Sequence, residues 1–411
     1  MFSSLADDGG LFVPSTLPDL RWPPKLDGPS DLRPAARWAA SGFFPSLDPT
    51  TVDRVVASSL DFPVPLVEVE RGRWILELFH GPTLAFKDVG ARFLAALMEV
   101  LDEAAPDDDA RVRTILVATS GDTGGAVASA FLRRGGHRVV ALFPKDGISG
   151  RQRRQMTTLG ENVTAVAVDG TFDDCQRLAR EAFRDGSLSR AHRLTSANSI
   201  NVGRLLPQCF YYLHAAAVVP SPRFVVPAGN LGNLCAGLMA WRAGMPAAGF
   251  IAATNENRGF VDYLGGAPFE ARSSIPTSSS AMDVGDPSNF ERIRWLFGDD
   301  ERVRESIRGA AVVGADVERC IADLHHRTGY VADPHTAVAY TAATRHNGRS
   351  AAPVVVLATA HPAKFPETVQ RAIGEPVEVP STLRALEDRK ETMRTMTPDL
   401  PALAAILEDG D

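Results

Sequence analysis

The stretch Leu78-Phe-His-Gly-Pro-Thr-Leu-Ala-Phe-Lys87-Asp88 sets one lysine among apolar neighbours. Upstream, Trp74-Ile-Leu-Glu-Leu-Phe79 reads as a short strand, which Gly81-Pro82 ends with turn chemistry. Downstream, Phe86, Val89, Phe93, Leu97, Val100 and Leu101 recur at helical spacing, so the pattern predicts a helix with one buried stripe and Lys87 in its first turn. Desolvation by Phe79, Leu84 and Phe86, together with the positive helix end, is expected to disfavour the ammonium form. A neutral amine is the nucleophile that imine chemistry with a carbonyl compound needs. The same residues also fit a lysine whose stem packs on the core while its head reaches water or pairs with Asp88.

Two glycine loops offer anion sites. Gly229-Asn-Leu-Gly-Asn233 follows the strand-like Phe224-Val-Val-Pro and opens a helix, so loop amides and the positive helix end would point at an anion such as a phosphate. It matches neither the dinucleotide pattern Gly-x-Gly-x-x-Gly nor the Walker pattern, which disfavours a nucleotide enzyme. Ser120-Gly-Asp-Thr-Gly124 has the same arrangement and could hold a carboxylate. Each loop, taken alone, fits a plain strand-to-helix turn equally well.

The elements that must position these groups alternate. The segment 111–120 reads as a buried strand, followed by a small-residue helix through Phe131. Strands over 138–143 and 162–168 and a helix over 173–185 continue the series. A second series begins at Arg223, with Gly249-Phe-Ile-Ala-Ala-Thr254 as its next strand and Pro353-Val-Val-Val-Leu-Ala-Thr359-Ala-His361 as its last. Such alternation predicts α/β architecture with parallel sheets, in which ligands bind at the carboxyl ends of strands. Residues 1 to about 70 are proline-rich, with one helix expected around Thr51 to Ser58, and look like a layer packed on the main body. The division expected is an N-terminal segment 1–75, a smaller α/β domain 76–215 carrying Lys87, and a larger α/β domain 216–411 carrying Gly229 to Asn233.

Composition bounds the function. A chain of 411 residues is long enough for two core-bearing domains. No apolar run approaches a membrane span, and the opening residues lack a basic signal-peptide region, so a cytoplasmic location is expected. Cys175, Cys209, Cys235 and Cys320 form no Cys-x-x-Cys pair, which argues against a zinc site or a disulfide framework, and no metal is expected. A formal charge of -7 and no sustained basic stripe make a nucleic-acid partner unexpected. The cluster Arg151 to Arg154 reads as a solvated helix face.

Taken together, the motifs resemble threonine synthase, a pyridoxal-phosphate enzyme of fold type II. The resemblance rests on the lysine after Gly-Pro-Thr-Leu-Ala-Phe, on Thr119-Ser-Gly-Asp-Thr-Gly124, on Gly229-Asn-Leu-Gly-Asn233 and on Leu357-Ala-Thr-Ala-His-Pro-Ala-Lys-Phe365. Asp8-Gly-Gly-Leu-Phe-Val-Pro14, Gln155-Met-Thr-Thr158, Asn198-Ser-Ile-Asn201, Ala253-Thr-Asn-Glu-Asn257, Ser288-Asn-Phe-Glu291 and Asp333-Pro-His-Thr-Ala337 continue it over nearly the whole chain. It implies two open, mostly parallel sheets with flanking helices and the cofactor, pyridoxal 5'-phosphate, in the cleft between domains. Lys87 would be the Schiff-base lysine, Gly229, Asn230, Leu231, Gly232 and Asn233 the cradle for the cofactor phosphate, and Thr359 the partner of the pyridine nitrogen. Asp122 would lie nearest the ring oxygen, where many fold-type-II enzymes have asparagine. Ser120, Gly121 and Thr123 would receive the substrate carboxylate, and Asn198, Ser199 and Arg204 the substrate phosphate. The implied reaction is a carbon–oxygen lyase's: O-phospho-L-homoserine and water give L-threonine and phosphate, with the lysine shuttling protons. The implied partner is a small phosphorylated amino acid, bound by a monomer or homodimer.

Three departures bear on substrate. The family's usual opening strand with Ser-Thr-Arg-Gly would stand some twenty residues before Asp8, where this sequence has only seven. Val202-Gly203 stands where tryptophan and alanine are common, and Pro144-Lys-Asp-Gly-Ile-Ser-Gly150 replaces a more basic loop. A diverged relative acting on another phosphorylated or phosphonate amino acid is therefore the alternative. A catalytically silent binding homologue is a third reading, which the intact Lys87 and phosphate loop oppose.

Overall fold

Short runs rich in valine and alanine, bounded by glycine, proline or polar turns, form the strands. The computed structural model describes residues 2, 4–6, 8–22, 26, 28–104, 112–346 and 352–409. Its strands are β1 (Leu66–Glu70), β2 (Arg73–Glu77), β3 (Arg113–Ala118), β4 (His137–Pro144), β5 (Val163–Val168), β6 (Arg223–Pro227), β7 (Gly249–Thr254), β8 (Ile307–Ala311), β9 (Val354–Ala358) and β10 (Arg394–Met396). They make a six-stranded sheet in the order β1-β2-β9-β6-β7-β8 and a four-stranded sheet in the order β10-β5-β4-β3. Every pairing is parallel except the β1–β2 hairpin at one edge. Arg111, expected at the start of β3's strand, lies outside the described residues.

The chain divides into two compact units. One comprises Met1–Phe12, Lys87–Arg204 and Val379–Asp411; the other comprises Val13–Phe86 and Leu205–Glu378. The division departs from the linear one read from the sequence because strand pairing ignores chain order. Residues 76–86 group with the six-stranded sheet, since β2 pairs with β9 from Arg73↔Val354 to Glu77↔Ala358. Residues 379–411 group with the four-stranded sheet, since β10 adds to β5 at Arg394↔Val166.

Within the first unit, β4 alternates between two cores, as the two-residue period of a strand requires. Val139, Ala141 and Phe143 pack with Leu94, Met98, Val127 and Phe131, while Val140 and Leu142 pack with Cys175, Leu178, Met396 and Leu403. Both faces are therefore covered, the usual condition of a parallel sheet. The helix Lys87–Ala104 is buried on more than the expected stripe: Gly90, Ala91, Leu94, Ala95 and Met98 are buried beside Val89, Phe93 and Leu97.

The arginine cluster is not a solvated face. On the helix Gly150–Thr157, Arg153 Nε and Nη2 donate to Glu391 at 2.9 and 3.0 Å, and Arg154 Nη1 donates to the carbonyls of Leu386 and Arg389 at 3.1 and 3.0 Å. Arg151 reaches Glu387 at 3.5 Å. These contacts clamp the C-terminal segment onto its unit. All four cysteines are free thiols. Among the described residues no helix is long and apolar enough to cross a membrane.

Leu403, fully buried between the helix Leu400–Glu408 and the four-stranded sheet, tests whether that segment belongs to the core. Leu403→Ala is expected to cost about 2–5 kcal/mol by lost transfer energy and residual cavity. Urea denaturation of the two proteins should show a midpoint shift with an unchanged slope.

Candidate active site

Lys87 is the first residue of its helix and its side chain is 16% exposed. Its Nζ lies 4.0 Å from Asp122 Oδ2. A charged neighbour of the lysine is thus Asp122, a buried residue from another element, which the local reading around Asp88 did not supply. Asp122 opens the helix Asp122–Phe131, directly after β3 and the loop 119–121. Thr119, also buried, organises that loop: its Oγ1 accepts from the amides of Gly121 and Gly124 at 2.9 and 2.7 Å. The amide of Gly121, expected to face a carboxylate, is thus already satisfied inside the loop. Ser120 and Thr123 are half-buried.

Asn198 Nδ2 donates to the carbonyl of Ala118 at 3.0 Å, which ties the stretch 198–204 to the end of β3. Its Oδ1 is buried with no partner among the described residues. Ser199 beside it is half-buried. Arg204 is no surface residue, as a plain helix-surface pairing would require; it is 3% exposed, and its Nη1 donates to the carbonyl of Ala197 at 2.6 Å. Its backbone presses on the helix that Lys87 begins. A Cβ at Gly90, one turn beyond the lysine, would stand 2.5 Å from the Arg204 carbonyl oxygen, so only glycine fits there.

In the second unit, β6 leads through residues 228–231 into the helix Gly232–Arg242. Leu231 takes a left-handed backbone, φ +58°, at the position before the helix. Asn230 is held from the side: its Oδ1 accepts from Ser288 N and Oγ at 2.7 and 3.0 Å, and Asn289 Nδ2 donates to its carbonyl at 3.1 Å. Asn233 Oδ1 accepts from the hydroxyls of Tyr211 and Tyr212, both at 2.7 Å. With the oxygen so occupied, Nδ2 must point away from the tyrosines, and it is buried with no partner among the described residues.

Thr359, 6% exposed, follows β9. Its carbonyl accepts the amide of Phe86 at 2.9 Å, so the residue before Lys87 is pinned to the end of β9. Two residues on, His361 packs edge-on against Phe79, with ring centroids 5.4 Å apart, and its Nδ1 accepts the amide of Ala363 at 3.1 Å. Burial, and after it the charge of His80, brings its pKa down to about 4. The sequence reading missed Gln152, Tyr211 and Tyr212, and it named Ser288 and Asn289 only as part of a family motif, without the grip on Asn230 that the structure shows. Of the three missed, only Gln152 carried a local signal, the capping pattern Ser149-x-x-Gln152.

The model of pyridoxal-phosphate dependent enzymes matches residues 58–360, and that of the threonine synthase C-terminal region matches residues 336–407. Threonine synthase of Escherichia coli K12 is 39% identical over 98% of this chain and 94% of its own, and that of Haemophilus influenzae is 38% identical over 92% and 88%. The chain belongs to the threonine synthase family. The crystal structure of threonine synthase from Escherichia coli superposes with a TM-score of 0.92 at 37% identity, covering 100% of this chain and 96% of that one. The pyridoxal-phosphate-bound threonine synthase from Brucella melitensis gives 0.89 at 33%, covering 100% and 95%. The family is one of fold-type-II enzymes, and the two mostly parallel sheets with flanking helices agree with it. Its cofactor is pyridoxal 5'-phosphate, and the residues here fit that group. Asn233 keeps a buried amide donor unpaired at a helix N-terminus, the chemistry that a phosphate satisfies.

His361 yields a pH test. Its folded-state pKa lies below the unfolded value of about 6.5, so the unfolded chain binds the proton more tightly. The stabilisation is whole above about pH 6.5 and is lost as pH falls towards 4, by up to about 3 kcal/mol. His361→Asn keeps an acceptor for Ala363 N and removes the titration. Stability measured from pH 7 to 4 should fall less steeply in the variant, and parallel curves would refute the assignment.

Proposed function

We propose that this chain converts O-phospho-L-homoserine and water to L-threonine and phosphate. The agreement with threonine synthases over 92 to 98% of the chain supports this reading most strongly. Pyridoxal 5'-phosphate, when bound, supplies the electron sink that lets protons leave carbon. Lys87 would be its covalent anchor, Gly229, Asn230, Leu231, Gly232 and Asn233 would hold its phosphate, Thr359 would serve its ring nitrogen and Asp122 its ring oxygen. A threonine hydroxyl does not keep a proton on the ring as a carboxylate would, so the sink is a mild one.

The chain's own residues then do the following. The substrate amine takes the place of Lys87, whose freed amine accepts the Cα proton, passes it to the substrate phosphate, and so is free to accept a Cβ proton. Ser120 and Thr123, with the loop around Gly121, orient the substrate carboxylate so that those two C–H bonds face the amine. Asn198, Ser199 and Arg204 hold the substrate phosphate, and the guanidinium balances the charge that builds as the Cγ–O bond breaks. Lys87 returns the Cβ proton to Cγ, water adds its hydroxyl at Cβ, and the other proton of that water, carried by Lys87 to Cα, completes threonine. The net change is one water consumed and one phosphate released. The chain acts as a cytoplasmic monomer or homodimer.

Borohydride reduction of the cofactor-loaded protein followed by peptide mapping should place the label on Lys87, and a label on another lysine would sink the assignment. An assay with O-phosphohomoserine that measures both phosphate and threonine should find them in equal amounts. Phosphate with 2-oxobutyrate, or no turnover of this substrate, would point instead to a diverged lyase. Arg204→Lys keeps the charge but loses the planar fork. It is expected to keep the cofactor spectrum while kcat/KM falls roughly ten- to a hundredfold. Loss of the cofactor with normal kinetics after reloading would move Arg204 to the cofactor's side.

A further inference from the structure

Gln152 is fully buried, on the first turn of the helix Gly150–Thr157. Its backbone N–H donates to Ser149 Oγ at 3.2 Å, and its Oε1 accepts from Ser149 N at 3.1 Å, closing a capping box. A backbone N–H can only donate, so the oxygen of the amide must face Ser149 and the nitrogen must face the other way. That nitrogen, Nε2, donates to Asp122 Oδ1 at 2.9 Å. The other carboxylate oxygen, Oδ2, is the one 4.0 Å from Lys87 Nζ. Capping alone does not require the second contact.

The backbone is shaped to admit it. Gly121, directly before Asp122, has φ +129°, and a Cβ there would stand 2.5 Å from Gln152 Cδ and 2.7 Å from its Nε2 and Oε1. Any side chain at 121 would therefore expel the glutamine and take a backbone conformation that L-residues avoid.

We infer that Gln152 is a positioning residue for the reaction, which acts through Asp122. Its amide donor occupies Oδ1 and leaves Oδ2 as the oxygen turned towards the Lys87 amine. This rests on the reading that Asp122 and Lys87 face the cofactor. An asparagine at 122 could not take the same role with the same partner, because its own donor is of the wrong polarity for Gln152 Nε2 whenever its oxygen faces the lysine. The pair Asp122–Gln152 is thus matched: an acceptor-only carboxylate beside an amide whose polarity Ser149 has fixed.

Gln152→Glu separates positioning from capping. Glutamate closes a capping box with Ser149 as well as glutamine does, so a purely structural role would be preserved. Towards Asp122, however, it replaces a donor with a second carboxylate, and two carboxylates at this distance hold one proton between them up to an abnormally high pH. The cofactor-loaded variant is expected to keep the absorbance band of the lysine-bound cofactor. That band should gain a titration step between about pH 5 and 8 that the unsubstituted protein lacks, and kcat should fall at least tenfold with KM little changed. Combining Asp122→Asn with Gln152→Glu restores a donor and an acceptor with reversed polarity, and the step should vanish. Ser149→Ala, which weakens the cap and leaves the donor, should lower Tm without adding the step. Should Gln152→Glu not fold, Gln152→Met removes the donor at similar length and should raise the acid-side midpoint of the same band.

A Gln152→Glu protein, or in its place a Gln152→Met protein, whose band titrates and whose kcat stands as in the unsubstituted chain would overturn the inference. Failure of the underlying reading looks different: the unsubstituted protein would then show no lysine-bound band at all.

Discussion

The backbone that delivers Lys87 is held by a short antiparallel strap, and the candidate site depends on it. Phe86 N donates to the Thr359 carbonyl at 2.9 Å, and His361 N donates to the Leu84 carbonyl at 3.1 Å, around an Ala85–Ala360 bridge. Lys364, fully buried, donates through Nζ to the Thr83 carbonyl at 2.9 Å. Leu84 within this strap has a left-handed backbone, φ +58°, a conformation that costs a non-glycine residue about 1–3 kcal/mol and persists only where its surroundings over-determine it. Here those surroundings are the end of β9 on one side and the Lys364 ammonium group on the other. The end of β9 thereby fixes both Thr359 and the last residue before Lys87.

The loops that would meet anions are likewise set before any ligand arrives. Thr119 ties down two amides of the 119–124 loop, Ser288 and Asn289 grip Asn230, and two tyrosine hydroxyls orient Asn233. Ordering such loops on binding would cost affinity, so their prior fixation leaves more of the contact energy for holding and orienting the ligand. It also explains why some groups expected as ligand contacts are satisfied internally. The Gly121 amide spends its hydrogen bond on shape.

Local pattern carried much of the fold. Periodicity and glycine punctuation predicted the helix at Lys87, the strands β3 to β7 and β9, and the helix that the structure places over Pro49–Ser59. It did not supply β10, whose three residues Arg394–Met396 carry no strand pattern and are fixed by pairing with β5, nor β8, whose Arg-Gly-Ala run resembles a loop. The division into units was illegible for the same reason, since it follows from pairing between segments far apart in the chain. Within the candidate site, contiguous motifs are what let the sequence name candidates at all. The supporting Gln152, Tyr211 and Tyr212 approach from elsewhere in the chain, and nothing in their local sequence says which loop they will touch; Ser288 stood in a family motif, yet its contact with Asn230 appears only in the fold.

The C-terminal segment gains a reason from these contacts. The threonine synthase C-terminal region matched here, residues 336–407, carries Thr359 in one unit and then supplies Glu391, Met396 and Leu403 to the other. Glu391 takes the guanidinium of Arg153, and the carbonyls of Leu386 and Arg389 take that of Arg154. Those arginines stand directly after Gln152 on the same helix, whose first turn reaches Asp122. A helix of eight residues has little stability of its own, because nucleation is costly and few bonds follow it. Its orientation must come from what it packs against, and along its arginine face that is the C-terminal segment. The order of the loop before Lys87's carboxylate neighbour is thus built partly from Leu386, Arg389 and Glu391 near the other end of the chain, a dependence visible only once the chain is folded.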